Sequence, residues 1–443
     1  MKPKIINALL CASVLILIPM AGYSQEPATY QLSLEQAIEM GMLNHQQLKI
    51  SEAQLEAGRL QVGVSKLELL PSIAFSANAS YLSDVMILDK DWSKVQTANM
   101  PHFGNSFGVQ ASQLLYKGGV IRKSVELAEL QHQLDALDLF SNEQDIKFLI
   151  ISNYLDIKRL INYIKVLEEN RTLALQLLAN IEKLYEEEMV TRNEVLRADL
   201  QIKNIEQEIL TSENNHVILS SRMSYALGLP DNILIIPTDD EDNMLSVQSL
   251  SSYEHYENRA HQLHPALLVA EKHVEIAGKN IDIQKTNWYP ALSVFGGYNM
   301  QRPLTSGAPV VDMYSNSWQA GLSLNFNIDN LYKNKRRIEY RKSQALITQE
   351  SLTYTQQNIE IEVKTAYLKY QEAVQHVVLM EESKQLANEN YSIVRNKYLN
   401  QLAITAEMTD ASNAKLNVEL EYTNAVINAT FQYYCLLKSS GTL

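Results

Sequence analysis

Two stretches of this chain, residues 120–188 and 331–400, contain neither proline nor glycine. A run of roughly seventy residues without either breaker can continue as one helix, and at about 1.5 Å per residue it reaches roughly 100 Å. Apolar residues recur within it at three- and four-residue spacing, as at Leu127, Leu130, Leu134 and Leu137. That narrow stripe suits coiled-coil packing. An ordinary compact domain cannot hold such a rod, so the fold must be elongated. Only 15 glycines and 11 prolines in 443 residues point the same way.

The rods belong to a repeated plan. Leu48, Glu52, Lys66 and Pro71 recur in the same order and spacing as Leu267, Glu271, Lys285 and Pro290. Further on, Tyr154, Tyr185, Glu194 and Ala198 match Tyr367, Tyr398, Glu407 and Ala411. The chain therefore divides into a first repeat, 25–228, a connector, 229–254, and a second repeat, 255–443. The connector carries the acidic run Asp239–Asp242, which reads as a solvated loop. Each rod is interrupted once, near 188–192 and near 401–405, where helix–helix turns are expected. At the first, Thr191 and Glu194 have capping-box spacing; at the second, Thr405 and Glu407 give a weaker signal. Residues 1–24 combine Lys2 and Lys4 with an apolar run and small residues before Gln25, the pattern of a secretory signal peptide. Cys11 falls inside that run, away from a lipoprotein processing position, and leaves Cys435 as the remaining cysteine.

Four segments change rhythm from helix to alternation: 71–82, 104–115, 290–301 and 317–328. In the last, Trp318, Ala320, Leu322, Leu324, Phe326 and Ile328 alternate with Ser317, Gln319, Gly321, Ser323, Asn325 and Asn327. Successive strand side chains point to opposite faces, so one face meets something apolar and the other meets water. A soluble sandwich would show the same pattern. Three features favour a membrane instead: the length, since about 9–11 tilted residues cross a bilayer; the aromatics Tyr81, Phe107, Trp318 and Phe326 near the ends; and a second face of small, uncharged residues. Pro71 and Pro290 begin the crossings, with Trp288 and Tyr289 suited to the water–lipid interface. The loops 83–102 and 302–316 then lie at the outer surface.

Open sheet edges cannot face lipid, because each unpaired backbone group there costs several kcal/mol. Four strands are too few to close a barrel, so chains must associate. Two would give eight strands and three would give twelve. An eight-stranded barrel is filled by its own side chains, and a water-filled bore needs more. The small polar face therefore favours three.

Other function classes find little support. A formal charge of −13 without a basic stripe argues against nucleic-acid binding. Phosphate loops, nucleophile elbows and zinc-protease motifs are missing, so no enzyme and no cofactor are expected. His261, His264 and His273 form the sole histidine cluster, without acidic partners at ligand spacing, and no metal is assigned to it. An exported coiled-coil adaptor would explain the rods but not the strands.

The whole mature sequence resembles the TolC-type outer-membrane factor family of efflux proteins. The likeness rests on the helix–Pro–strand junctions, on "QLLYKGG" (113–119), and on the paired turns "YEEEMVTRNEVLRADL" and "YLNQLAITAEMTDASN". It implies a homotrimeric twelve-stranded β-barrel in the outer membrane, four strands per chain, continued by a long α-helical barrel across the periplasm. The implied function is the exit duct of a tripartite efflux pump, or alternatively of a type I protein secretion system. The implied partners are outer-membrane lipid, a periplasmic adaptor and an inner-membrane transporter. The adaptor would dock on the turns Glu188, Met189, Val190, Thr191, Arg192 and Gln401, Leu402, Ala403, Ile404, Thr405. The family usually has glycine where this chain has Glu188 and Gln401, and Ala403 replaces a basic tether of some relatives. Family members close the periplasmic tip with acids after the second turn, which match Glu407 and Asp410 here.

Overall fold

The structure, a computed structural model, describes residues 28–239, 250–304, 310–400 and 402–443. The expected signal segment, Gln401 and Asp240–Asp242 lie outside the described residues. No described helix is long and apolar enough to cross a membrane.

The order of elements is β1 (Ala28–Leu32), α1 (Leu34–Asn44), α2 (Gln46–Leu67), β2 (Ser72–Tyr81), β3 (Val85–Leu88), β4 (Lys94–Ala98), β5 (Phe103–Tyr116), α3 (Val120–Glu186), α4 (Arg192–Leu227) and β6 (Ile233–Pro237). The second half adds α5 (Tyr253–Leu263), α6 (Pro265–Lys285), a 3-10 turn (Thr286–Trp288), β7 (Ala291–Arg302), β8 (Ser315–Asn325), α7 (Asn330–Leu399) and α8 (Thr405–Ser439). Helix α3 pairs with α4 and α7 with α8 as long hairpins, while α2 and α6 flank α3. Side-chain ties lock these rods in register: Lys66–Glu129 at 3.1 Å between α2 and α3, Lys279–Glu126 at 2.6 Å between α6 and α3, and Lys438–Asp145 at 2.9 Å between α8 and α3.

The sheet order is β2-β5-β7-β8, antiparallel throughout, so the two repeats meet at β5 and β7. Strands β2 and β8 are its edges. The β8 ladder ends at Asn325, paired with Ala291. Phe326 and Ile328, read from the alternation as strand residues, instead lie in the turn into α7. Pro290 sets that limit: without an N–H it cannot extend β7, so β8 has no partner beyond Asn325. Two smaller pairings were hidden from the periodicity. β3 and β4 form a hairpin within the loop after β2, and β1 pairs in parallel with β6 from the connector.

That small parallel pair anchors the main core midway along α3. Leu32, Ala37, Ile150, Tyr154, Ile157, Met223, Leu227 and Ile235 are buried together there. Asp239 is part of this girdle rather than a solvated loop. Its carboxylate accepts from the Leu34 N–H at 2.8 Å and from the Tyr154 hydroxyl at 2.5 Å, and its carbonyl accepts from Lys158 Nζ at 2.8 Å. Burial, reinforced by Asp239, pushes the Tyr154 hydroxyl well above the usual phenol value.

The "KGG" turn shows how tightly the halves meet under the sheet. Gly118 has φ +59°, and a Cβ there would sit 2.5 Å from Tyr289 Cδ2. Only glycine satisfies both the left-handed backbone and the tyrosine from the other repeat.

Candidate functional site

The chain has two distinctive ends, a sheet and a pair of helix turns. Register across the sheet sorts its side chains into two faces. On one, Phe75, Val109, Tyr298 and Trp318 form a continuous row, next to Ile73, Ala111, Gly296 and Ala320. On the other, Ser76, Gly108, Asn299 and Ser317 align, next to Ala74, Gln110, Gly297 and Gln319. The apolar row is left open: Phe75 is 70% exposed, Trp318 79% and Leu322 67%. Trp288 and Tyr289, both exposed, stand at the helix end of the same sheet. Phe295 is the exception on the polar face. Its ring lies against Gly321, where an added Cβ would come within 3.1 Å of Cζ. On the polar face Ser72 and Ser112 exchange a hydroxyl hydrogen bond at 2.9 Å.

Such a sheet cannot be a finished structure in water or in lipid. In water its aromatic face is uncovered; in lipid its two edges are unpaired.

At the opposite end the first helix turn has a Schellman geometry. The Met189 N–H donates to the Leu184 carbonyl at 2.8 Å and the Glu188 N–H to the Tyr185 carbonyl at 2.9 Å. Glu188 occupies the left-handed position, φ 60°, where glycine is the favoured residue. The second turn repeats the long bond, Leu402 N–H to Lys397 carbonyl at 2.8 Å. Glu188→Gly should therefore relieve about 1 kcal/mol of backbone strain at this turn. Slower amide exchange at Met189, measured by native-state hydrogen exchange, would show it; an unchanged or faster rate would refute it.

The capping box expected at Thr191 is not formed. Thr191 is the N-cap of α4 but its side chain makes no cap bond. Glu194 instead accepts from Thr405 Oγ1 at 2.8 Å, tying the first turn to the second. The weaker sequence signal yields half a box: Glu407 reaches back to accept from the Ile404 N–H at 3.3 Å. Beneath the turns, Leu177, Ile181, Ala198 and Met408 form a shared core with Val190 and Tyr398 packed against it. Met189, Leu402 and Ile404 stay exposed at the tip, while Val190 and Ala403 are half-buried and Arg192 is exposed.

Glu407 and Asp410 are both exposed on the first turns of α8. Thr405, Met408 and Ala411, on the opposite side, are buried. The two acids thus share the face of α8 turned away from the chain's own core. The histidines are not brought into one site. His261 faces Glu360 at 3.6 Å, His264 is the N-cap of α6, and His273 lines a groove beside α7. Among the described residues no three His, Cys, Asp or Glu side chains converge as a metal site would require.

Among curated proteins no sequence match is found. The fold is similar to solved channels at low identity. The outer-membrane channel OprN gives a TM-score of 0.76 at 15% identity, with 93% of this chain and 90% of that chain covered. CusC gives 0.77 at 14%, covering 93% of each. The outer membrane protein VceC from Vibrio cholerae gives 0.72 at 14%, covering 92% of this chain and 96% of that one. The family model for outer membrane efflux proteins matches residues 37–229 and 257–439, one match in each repeat. The chain belongs to the outer membrane efflux protein family, whose members are outer-membrane channels that extend into the periplasm.

Proposed function

We propose that three copies of this chain form the outer-membrane channel and periplasmic exit duct of a tripartite pump that exports small molecules. One observation carries the reading: a four-stranded sheet with an uncovered apolar face and two free edges continues directly into helical hairpins roughly 100 Å long. Threefold closure pairs each β8 with a neighbouring β2 and turns the Ser-, Asn- and Gln-rich face to a wet bore. The helices then carry the bore toward a periplasmic adaptor and an inner-membrane transporter, which supplies the energy. The adaptor docks on the exposed Met189, Leu402 and Ile404 around the linked turns. Glu407 and Asp410 ring the narrow end, and Trp288, Tyr289 and Trp318 mark the membrane interfaces.

Loss of the protein from its host should raise accumulation of small dyes and drugs, and restoring the full chain should reverse it. Accumulation that stays unchanged while a secreted polypeptide disappears from the medium would move the duct to a protein secretion system.

A further inference from the structure

Helix α7 begins with an unusual concentration of positive charge. Between Asn330 and Lys342 lie Lys333, Lys335, Arg336, Arg337, Arg341 and Lys342, against the single acid Glu339. The chain as a whole carries −13. The location is electrostatically unfavourable, because the positive end of the helix dipole repels cations in the first turns. Contacts within the chain satisfy the charge poorly. Lys333 meets Asp329 at 2.7 Å and Arg336 meets Glu339 at 2.9 Å, but the Arg336 side chain is still 89% exposed. Arg337 donates to the Asn330 amide oxygen at 3.4 Å and shares Asp329 with Lys333 electrostatically, and Arg341 donates to the amide oxygen of Gln344 at 3.1 Å. Lys335 and Lys342 have no acid within ion-pair distance among the described residues.

The first repeat handles the matching place differently. Lys123 near the start of α3 donates to the Asp282 carbonyl at 3.2 Å. The acids that follow, Glu126 and Glu129, pair with Lys279 and Lys66. There both acids that follow the helix start are paired within the chain, and cations are fewer than the six at the start of α7.

What lies above the cations identifies their partner. Exposed Leu322 and Leu324 of β8 lead through exposed Ile328, Leu331 and Tyr332 straight into them. From Lys333 to Arg337 the helix advances about 6 Å, close to the depth of one headgroup layer. Lys342, one turn lower and exposed, has a flexible stem long enough to extend back toward it.

We propose that the start of α7 is a basic collar that binds anionic phospholipid headgroups of the periplasmic leaflet. Around a threefold assembly the collar recurs three times below the barrel. It fixes the depth of the barrel and gathers acidic lipid at its foot. This inference rests on the sheet lying in the bilayer.

The test uses the full chain in vesicles, with Trp92→Phe and Trp318→Phe so that Trp288 at the helix end of the sheet alone reports. Quenching of Trp288 by brominated phosphatidylglycerol is compared with quenching by brominated phosphatidylethanolamine. The collar predicts a preference for the anionic lipid of roughly fivefold, the effect of about one effective charge, that weakens in salt. Combined Lys335→Gln, Arg336→Gln, Arg337→Gln and Lys342→Gln should bring the ratio near one, whereas Lys335→Arg with Lys342→Arg should keep it. An equal ratio in the native and neutralised chains overturns the collar. Retained lipid preference with lost sedimentation on purified cell-wall sacculi would overturn it in favour of an acidic cell-wall partner. If neither brominated lipid quenches Trp288, the bilayer placement of the sheet fails with it.

Discussion

Replacing Glu407 and Asp410 together by alanine is expected to raise the single-channel conductance of the reconstituted protein several-fold and to weaken its preference for cations. Both side chains are exposed, while Thr405, Met408 and Ala411 on the other side of α8 are buried against the chain's own hairpins. In the proposed threefold assembly six carboxylates gather around the narrow end. Rings of this kind attract cations, oppose anions and repel themselves when ionised. Removing Glu407 also deletes its 3.3 Å bond to the Ile404 N–H. Losing that half-cap costs on the order of 1 kcal/mol, too little to unfold a helix tied at its start by Thr405 to Glu194. Planar-bilayer recording with Glu407→Gln and Asp410→Asn in parallel separates charge from bulk. Unchanged conductance and selectivity in all variants would place the constriction elsewhere.

Leu322→Arg should prevent the protein from accumulating in the membrane. Leu322 pairs with Val294 on the apolar face and is largely exposed in the single chain. An arginine on the lipid face costs about 2–4 kcal/mol near the bilayer midplane, and every chain of the assembly carries it. Its neighbour Ser323, paired with Ser293, lies on the opposite face. In the proposed assembly Ser323→Arg enters the wet bore and should be tolerated, with altered conductance as its only mark. Carbonate-resistant membrane content of the two variants decides the matter. Equal retention would mean that the aromatic face does not meet lipid.

Much of this arrangement could be read from the residues because its signals are local. A proline cannot continue a helix that precedes it without kinking it, and alternation over ten residues identifies both faces of a strand without knowledge of its neighbour. What escaped depends on distant partners. The β1–β6 pair joins segments some two hundred positions apart, and neither five-residue strand has a pattern of its own. Asp239 looked like one more acid in a charged loop until Tyr154, Lys158 and the Leu34 amide met it. Glu194 had the spacing of a cap residue, yet Thr405 of the other repeat offers its hydroxyl and the local bond is not made. The left-handed Glu188 is the reverse case. Its position after the helix indicated the turn, although the residue type argued against that conformation.

The free edges of β2 and β8 also bear on inheritance. A chain that cannot complete its own wall must share it, so one defective copy compromises every assembly it enters. If a host makes native and edge-damaged chains in equal amounts and they mix at random in the proposed three-chain assembly, only roughly one assembly in eight is wholly native. Lesions in these two strands should therefore behave as dominant traits, whereas a lesion that prevents export of the chain altogether should be recessive.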